Sequence, residues 1–121
     1  MQVVIVEPEK KPVVQNIDNT LTSVQQLVGG TIQAVYPFEE PVALICNDEG
    51  KMNGLPNRAL RDCNGAIYDI VAGTFFLCAA SADSDRFESL TDEQAQTYME
   101  RFAMPEQFIK VNGAIVVLPY L

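Results

Sequence analysis

Runs of hydrophobic residues in the first half of the chain predict short β-strands. Residues 3–6 form a β-branched run, and residues 13–17 follow it across a polar turn as the second strand of a hairpin. Residues 31–36 alternate between apolar and polar positions, which is typical of a half-buried strand. Residues 42–46 are almost wholly apolar, so we expect that strand to lie in the centre of the sheet.

The second half of the chain continues this strand pattern. Asn64-Gly65 and Asn112-Gly113 are turn signals, and the second pair predicts either a terminal hairpin or a final edge strand. Gly73 interrupts an apolar stretch, which indicates a bulge or a close approach to the backbone. The strand-like segments here are residues 67–71, 74–79, 108–111 and 114–118.

Two segments have helical spacing and helix-capping residues. Thr20 is a candidate N-cap for a helix over residues 20–29, which Gly29-Gly30 ends. A capping box from Thr91 to Gln94 begins a second helix over residues 91–103. The expected buried face of the second helix consists of Ala95, Tyr98, Met99 and Phe102.

These elements predict a single α+β domain over residues 1–121. We expect a mostly antiparallel sheet of five to seven strands, with both helices packed on one of its faces. No apolar run is long enough to span a bilayer, and the first residues do not resemble a signal peptide. The sequence therefore predicts a cytoplasmic protein with no membrane partner.

The charge balance restricts the ligands that the protein can bind. The chain has a formal net charge of −8, which repels nucleic-acid backbones. We therefore expect no direct binding to DNA or RNA. A small anion in a locally basic pocket is still compatible with this charge, and so is docking on a basic protein surface.

The residue types present point away from common catalytic sites. The chain has no histidine, which removes the commonest general base and metal ligand. We expect no catalytic residue, metal or cofactor. The clustered acids Asp83, Asp85 and Glu88 fit a solvated surface better than a metal site. Cys46 and Cys78 fit core positions, while Cys63 lies next to a basic segment.

That basic segment, residues 50–61, is the candidate binding site. It contains Lys51, Arg58 and Arg61 but no acid, and its glycines, proline and asparagines predict an irregular, exposed loop. On a short helical turn Arg58 and Arg61 would share a face, and guanidinium groups match phosphate oxygens bidentately. The full set of expected ligand-binding residues is Lys51, Asn53, Gly54, Asn57, Arg58, Arg61, Tyr36 and Tyr68.

Each type in this set has its own expected role, and each also has a structural alternative. Asparagines would hydrogen-bond a ribose or base, Gly54 would let the ligand reach the backbone, and Tyr36, Phe38 and Tyr68 would stack on a base. Alternatively the aromatic residues pack in the core. The arginines would then form ion pairs with neighbouring acids, for which the candidates are Asp48, Glu49, Asp62 and Asp69.

Four segments of the chain are distinctive: residues 28–38 (VGGTIQAVYPF), 43–51 (ALICNDEGK), 55–61 (LPNRALR) and 68–76 (YDIVAGTFF). Together they resemble a family of small proteins, the domain-of-unknown-function family numbered 3846. The resemblance extends from residue 1 to about residue 102, and the tail from residue 104 is less similar. Its similarity to accessory proteins of phages and mobile elements implies a setting, but no activity for any residue.

From these observations the favoured hypothesis is a non-enzymatic protein that sequesters a nucleotide-type anion, such as a host immune signal. A small chain builds a deep pocket most easily between subunits, so we expect a homodimer or higher homo-oligomer. One alternative is an acidic inhibitor or nucleic-acid mimic that docks on a host defence protein. The other is a nucleotide hydrolase that uses carboxylates and a metal.

Overall fold

The computed structural model describes residues 1–50, 54–81, 83 and 86–120. Within these ranges the chain forms nine strands and two helices. The strands are β1 Gln2–Val6, β2 Val13–Asn16, β3 Ile32–Val35, β4 Val42–Asn47, β5 Pro56–Arg61, β6 Ile67–Ala72, β7 Phe75–Ala79, β8 Glu106–Val111 and β9 Ala114–Pro119. The helices are α1 Leu21–Val28 and α2 Asp92–Arg101.

The strands form one large sheet and two separate hairpins. Five strands make the main sheet in the order β2-β1-β7-β4-β3, and every neighbouring pair is antiparallel. The other strands pair as the hairpins β5–β6 and β8–β9. The fold is therefore α+β and antiparallel, as predicted. Strand β4 is interior to the sheet, but β7 occupies its centre.

The two helices cover opposite faces of the main sheet, so the prediction that both pack on one face was wrong. Val3 and Ile5 of β1 point toward α1, whereas Val4 and Val6 point toward α2. Strands β4 and β7 divide their side chains in the same way. Because successive side chains of a strand point to opposite faces, a continuous apolar run supplies two cores.

Both helices begin at the predicted caps. The Thr20 hydroxyl accepts a hydrogen bond from the Ser23 N–H, and Gly29 ends α1 in the left-handed conformation at φ 84°. At α2 the Thr91 hydroxyl accepts from the Gln94 N–H at 3.1 Å, and the Gln94 side chain accepts from the Thr91 N–H at 2.9 Å. The capping box is therefore confirmed.

An aromatic cluster holds the C-terminal end of α2 on the sheet. Phe102 makes edge contacts with Phe75 and Phe38, with ring centroids 5.4 Å and 6.3 Å apart. Tyr98 is fully buried, and its hydroxyl donates to a Glu40 carboxylate oxygen at 2.6 Å. The predicted buried face of this helix is correct, with Met99 partly buried. These contacts fix the position of Arg101 and Phe102.

The segment predicted as an irregular basic loop contains a strand. Residues 56–61 form β5, which pairs with β6 and has register shifts at Asn57 and between Leu60 and Arg61. The expectation that Arg58 and Arg61 share a face of a helical turn was therefore wrong. The part of the chain that the structure describes contains no helix long and apolar enough to cross a membrane.

Candidate functional site

A pocket of about 330 Å³ opens where β5, the end of α2 and the β8–β9 hairpin meet. Its polar lining consists mainly of three arginines and one glutamate, and aromatic side chains form part of its wall. The residues on which its chemistry depends are Arg58, Arg61, Arg101, Glu106, Phe38 and Tyr68.

Arg58 is buried at the base of this pocket, and contacts within the chain occupy its guanidinium. Its exposure is 1%. Nε donates to the Phe102 carbonyl, and Nη2 donates to the carbonyls of Phe102 and Lys10 at 3.1 Å and 2.6 Å. Nη1 donates to the carbonyl and the side-chain oxygen of Asn57. A guanidinium has five N–H donors, so these five contacts leave none for a ligand.

Asn57 is the residue that connects this arginine to the main sheet. Its side-chain Nδ2 donates to the carbonyls of Val6 and Gly73, at 2.9 Å each, while Oδ1 accepts from Arg58. The residue is fully buried. Both the Nδ2 and the Oδ1 of its side chain are therefore bonded within the chain. No group of Asn57 is left for the predicted contact with a ribose or base.

Arg61 and Glu106 form an ion pair at the wall of the pocket. The Nη2 to Oε2 distance is 2.7 Å, and the second carboxylate oxygen accepts the Ala59 N–H at 3.0 Å. The Glu106 side chain is only 11% exposed, whereas that of Arg61 is 43% exposed. Among the described residues Glu106 is the one hydrogen-bonding partner of the Arg61 guanidinium. Most donors of Arg61 are thus available.

Arg101 brings a second available cation to the same pocket. It lies in the last turn of α2, where a positive charge is favoured by the helix dipole. Its guanidinium carbon stands 4.7 Å from the centroid of the Phe38 ring, a cation–π contact. Tyr68 lies on the opposite strand at the register shift in β6, and its side chain is exposed.

The electrostatics of the pocket differ from those of the whole chain. Three arginines and one glutamate give the lining a formal excess of two positive charges, whereas the chain carries −8. Burial lowers the pKa of Arg58, and the charge of Glu106 acts in the opposite direction. An anion that enters here would meet a local field opposite in sign to the far field.

The structure gathers some of the predicted ligand-binding residues and separates others. Arg58, Arg61 and Tyr68 line the pocket, with Asn57 directly behind Arg58. Tyr36 and Gly54 are not among its lining residues. Tyr36 and Tyr68 are exposed, so the alternative that places them in the core was wrong. Lys51 and Asn53 lie outside the described residues, as does Asp85.

The ion pairs that the sequence offered as an alternative are also different from those observed. Arg61 pairs with Glu106, 45 residues away, and not with Asp48, Glu49, Asp62 or Asp69. Arg58 is held by carbonyls and an amide oxygen. Sequence reasoning did not identify Glu106 or Arg101. One available signal was that Glu106 is the single acid between residue 104 and residue 121.

Gly54 has a structural reason to be glycine. Its N–H donates to the Gly50 carbonyl at 2.7 Å. A Cβ on Gly54 would lie 2.8 Å from the Gly73 nitrogen, which is closer than side-chain carbons come to backbone atoms. The close approach that the sequence predicted at Gly73 is therefore made by the chain's own backbone.

The cysteines and acids show no further site in the described ranges. Cys46 and Cys78 are buried as predicted, and burial raises the pKa of the Cys78 thiol to about 12. Cys63 is exposed. Within residues 1–50, 54–81, 83 and 86–120, no three of the histidine, cysteine, aspartate and glutamate side chains converge as metal ligands would.

Fold and site together define a small α+β protein with a cationic, partly aromatic pocket. The chain belongs to the DUF3846 family, a domain of unknown function, whose family model matches residues 1–103. No curated protein and no solved structure matches the chain. The match includes the main sheet, the β5–β6 hairpin and both helices, but the β8–β9 hairpin lies beyond it. One wall of the pocket is thus built from residues outside the family match.

Proposed function

We propose that this protein binds a small phosphate-bearing, nucleotide-type anion and sequesters it without changing it. The observation that carries the proposal is the pairing of two available guanidinium groups, Arg61 and Arg101, in one pocket with exposed aromatic surface. The ligand class is the one expected from the sequence. Of the expected binding groups Arg61 is kept, Arg58 and Asn57 have structural roles instead, and Arg101 is added.

The charges support an anion as the ligand. Arg61 donates to a single carboxylate oxygen, and Arg101 rests on an aromatic ring. A guanidinium presents parallel N–H groups that match two phosphate oxygens, and such charge-assisted bonds are about twice as strong as neutral ones. In this arrangement Arg61 and Arg101 hold phosphate oxygens while Arg58 maintains the floor of the pocket.

The size and lining support a ligand of nucleotide size. A volume of about 330 Å³ lies at the lower end of the range for small-molecule sites, about 300–1,000 Å³. The exposed ring of Tyr68 offers a face on which a base can stack, whereas Phe38 packs against the core and beneath Arg101. A long nucleic acid would extend past the pocket onto the acidic surface of a chain with a net charge of −8, and that surface would repel its phosphates.

Glu106 gives the site a preference among anions. Its carboxylate shares Arg61 with any incoming ligand, while its other oxygen stays bonded to the Ala59 N–H. An anion must therefore compete with a fixed carboxylate for this arginine. A phosphate that carries two charges competes better than a singly charged carboxylate, so the site favours phosphate monoesters and diphosphates.

The groups that face the pocket support sequestration without chemistry as the proposed activity. Its charged groups are arginines, which stay protonated, and a carboxylate engaged in an ion pair. The resemblance to phage and mobile-element proteins gives this activity a setting, the capture of a signalling nucleotide of the host. Binding alone is sufficient for such a role.

Thermal-shift screening against AMP, ADP and a cyclic dinucleotide tests the proposal, because a ligand that binds only the folded state raises the melting temperature. Arg61→Ala and Arg101→Ala should each weaken binding of the best ligand about tenfold to a hundredfold, the equivalent of about 1.5–3 kcal/mol. Lys110→Ala removes an exposed cation outside the pocket and serves as the control.

The proposal fails if no nucleotide shifts the melting temperature, or if both arginine variants bind as tightly as the parent. Recovery of the ligand after incubation with added divalent metal tests the claim that it stays intact. A cleaved product would favour the carboxylate-metal hydrolase.

A further inference from the structure

The C-terminal hairpin exposes an apolar face that the rest of the chain does not cover. Of the fourteen large apolar side chains exposed in the described residues, seven lie between residues 104 and 120. This hairpin also lies outside the family match. The concentration of exposed apolar surface in one short segment marks an interaction surface.

The register of the hairpin determines which side chains share a face. Ile109 pairs with Val116, and the next pairs on the same face are Gln107 with Leu118 and Val111 with Ala114. Tyr120 continues this face, since its N–H donates to the Pro105 carbonyl one step further along the ladder. The exposed face, named here the outer face, carries Ile109, Val111, Val116, Leu118 and Tyr120, each between 39% and 48% exposed.

The opposite face of the hairpin packs against the rest of the chain at the end near Glu106, whereas Ile115, toward the turn, is 54% exposed. Glu106 bonds to Ala59 and Arg61 of β5. Phe108 lines a groove with Ile67 and Tyr68 of β6. An apolar two-stranded hairpin needs packing to be stable in water, and one face alone receives it within the chain.

The charge of the outer face selects its occupant. The two charged residues of the hairpin, Glu106 and Lys110, both lie on the opposite face by register, so the outer face carries no charged side chain. A two-fold interface brings the same patch of two copies together. Like charges in such a patch would repel each other, whereas an uncharged apolar patch can pack against itself. A basic partner would instead be drawn to the acidic surfaces of a chain with a net charge of −8.

We propose that the outer face pairs with the outer face of a second copy of this chain. Two hairpins would stack face to face, as sheets do in a sandwich, with Ile109 and Val116 near the centre of the contact. The pockets of the two copies would then flank the interface, since Val117 and Leu118 of β9 also line the pocket.

The surface area that the two outer faces can bury determines the expected affinity of the dimer. Five half-exposed side chains offer roughly 400 Å² per copy, and Gln107, Ala114 and the main chain raise the total for both copies to about 1,000 Å², the lower end for specific interfaces. We therefore expect a dissociation constant in the micromolar range. Added salt should tighten the dimer, because it screens the repulsion between two acidic chains.

Sedimentation equilibrium of the full chain over roughly 5–300 µM tests this, since that range brackets a micromolar constant. With increasing protein concentration the average molecular mass should rise from that of one chain to that of two. Val116→Lys and Ile109→Thr should each weaken the dimer at least about tenfold. Both positions are exposed and lie outside the pocket lining. Val13→Lys changes a valine on the edge strand β2 that is 47% exposed, against 39% for Val116, and this control should dimerise normally.

A chain that stays monomeric throughout this range overturns the proposal. So does a folded Val116→Lys or Ile109→Thr variant that dimerises as tightly as the parent, or a dimer that weakens steadily with salt. Nucleotide binding by Val116→Lys is read separately by thermal shift. A monomeric variant that still binds the nucleotide supports both proposals, whereas failure of the nucleotide site leaves the sedimentation result unaffected.

Discussion

Strand β5 contains two arginines whose surroundings are opposite. Arg58 is buried, and all five of its N–H donors bond to oxygens of the chain. Arg61, three residues later, is half-exposed and bonds to one carboxylate oxygen. Both line the same pocket. An arginine in a pocket can therefore have a structural role or be available to a ligand, and the number of its N–H donors that remain unbonded distinguishes the two.

The physical reason is the cost of burying a guanidinium. A buried cation must recover its lost hydration through hydrogen bonds, so a position like that of Arg58 requires partners for every donor. The Arg61 side chain is 43% exposed, so its guanidinium keeps part of its hydration, and one ion pair is enough to hold its orientation. A ligand that arrives at Arg61 can replace water there, whereas at Arg58 it would have to displace the fold's own carbonyls.

Arg58→Met should give the largest effect on stability. It removes the donors that bond to the buried Phe102 and Asn57 oxygens and to the part-buried Lys10 carbonyl, and each buried acceptor left without a partner costs about 1–3 kcal/mol. With partial relaxation we expect the free energy of unfolding to fall by about 3–5 kcal/mol. Urea unfolding followed by circular dichroism measures it.

Arg58→Lys sharpens the same test, because it keeps the charge but has three donors in place of five. It should recover only part of the lost stability. A loss below about 1 kcal/mol for Arg58→Met would show that Arg58 is not the structural residue of the pair.

Glu106→Gln removes the charged partner of Arg61. Both arginines would then bond only to neutral oxygens of the chain. The amide oxygen can still accept the Ala59 N–H, so we expect a stability loss of about 1–3 kcal/mol. If the pocket binds an anion as proposed, removal of one negative charge next to it should tighten nucleotide binding about tenfold. Calorimetric titration of the variant and the parent checks the sign. Weaker binding by a folded variant would contradict the shared-arginine arrangement.

Tyr98→Phe tests the support behind the pocket and should have the smallest effect, about 0.5–1.5 kcal/mol at neutral pH. The pKa of Tyr98 is raised by burial, by its hydrogen bond to Glu40 and by the charge of Glu40, with Arg101 acting in the opposite direction. The folded state thus keeps the phenol neutral at pH values where the unfolded chain ionises, above its ordinary pKa of 10.0. This contribution is full below that pH and is lost above it.

Urea unfolding at neutral and alkaline pH measures this difference. The parent should lose more stability than Tyr98→Phe when the pH rises past 10.0, the ordinary value for tyrosine. The buried Cys78, whose pKa is raised to about 12, weakens both proteins equally at high pH and so cancels in the comparison. Identical losses for the two proteins would show that Tyr98 does not contribute to the alkaline sensitivity.

Local features of the fold could be predicted from the sequence. The capping box at Thr91 and the spacing of Ala95, Tyr98 and Phe102 predicted α2 to within two residues at its C-terminal end. Gly29 marked the end of α1. These features depend on neighbouring residues, which a pattern displays directly.

The assignment of helices to faces could not be predicted in this way. The runs in β1, β4 and β7 are apolar at successive positions, and a strand buried on both sides does not indicate which helix covers which side. The pattern of residues 42–46 nevertheless identified an interior strand correctly.

The roles of the arginines also depend on contacts distant in sequence. Arg58 bonds to carbonyls 48 and 44 residues away, at Lys10 and Phe102, and Arg61 pairs with Glu106 across 45 residues. Local charge pattern identified a segment that contributes two arginines to the pocket. It could not distinguish the buried arginine from the available one, because a carbonyl partner leaves no mark in the sequence.

Calorimetric titration of ADP into the parent and into the double variant Arg61→Ala/Arg101→Ala tests the central claim most directly. The parent should bind ADP. The double variant should lose at least about a hundredfold in affinity, the equivalent of two charge-assisted contacts. Its melting temperature should fall, because Arg61→Ala removes the ion-pair partner of the largely buried Glu106 side chain, so the titration is run at a temperature at which circular dichroism shows both proteins folded. A folded double variant that binds ADP as tightly as the parent would place the site elsewhere and contradict the assignment of these two arginines.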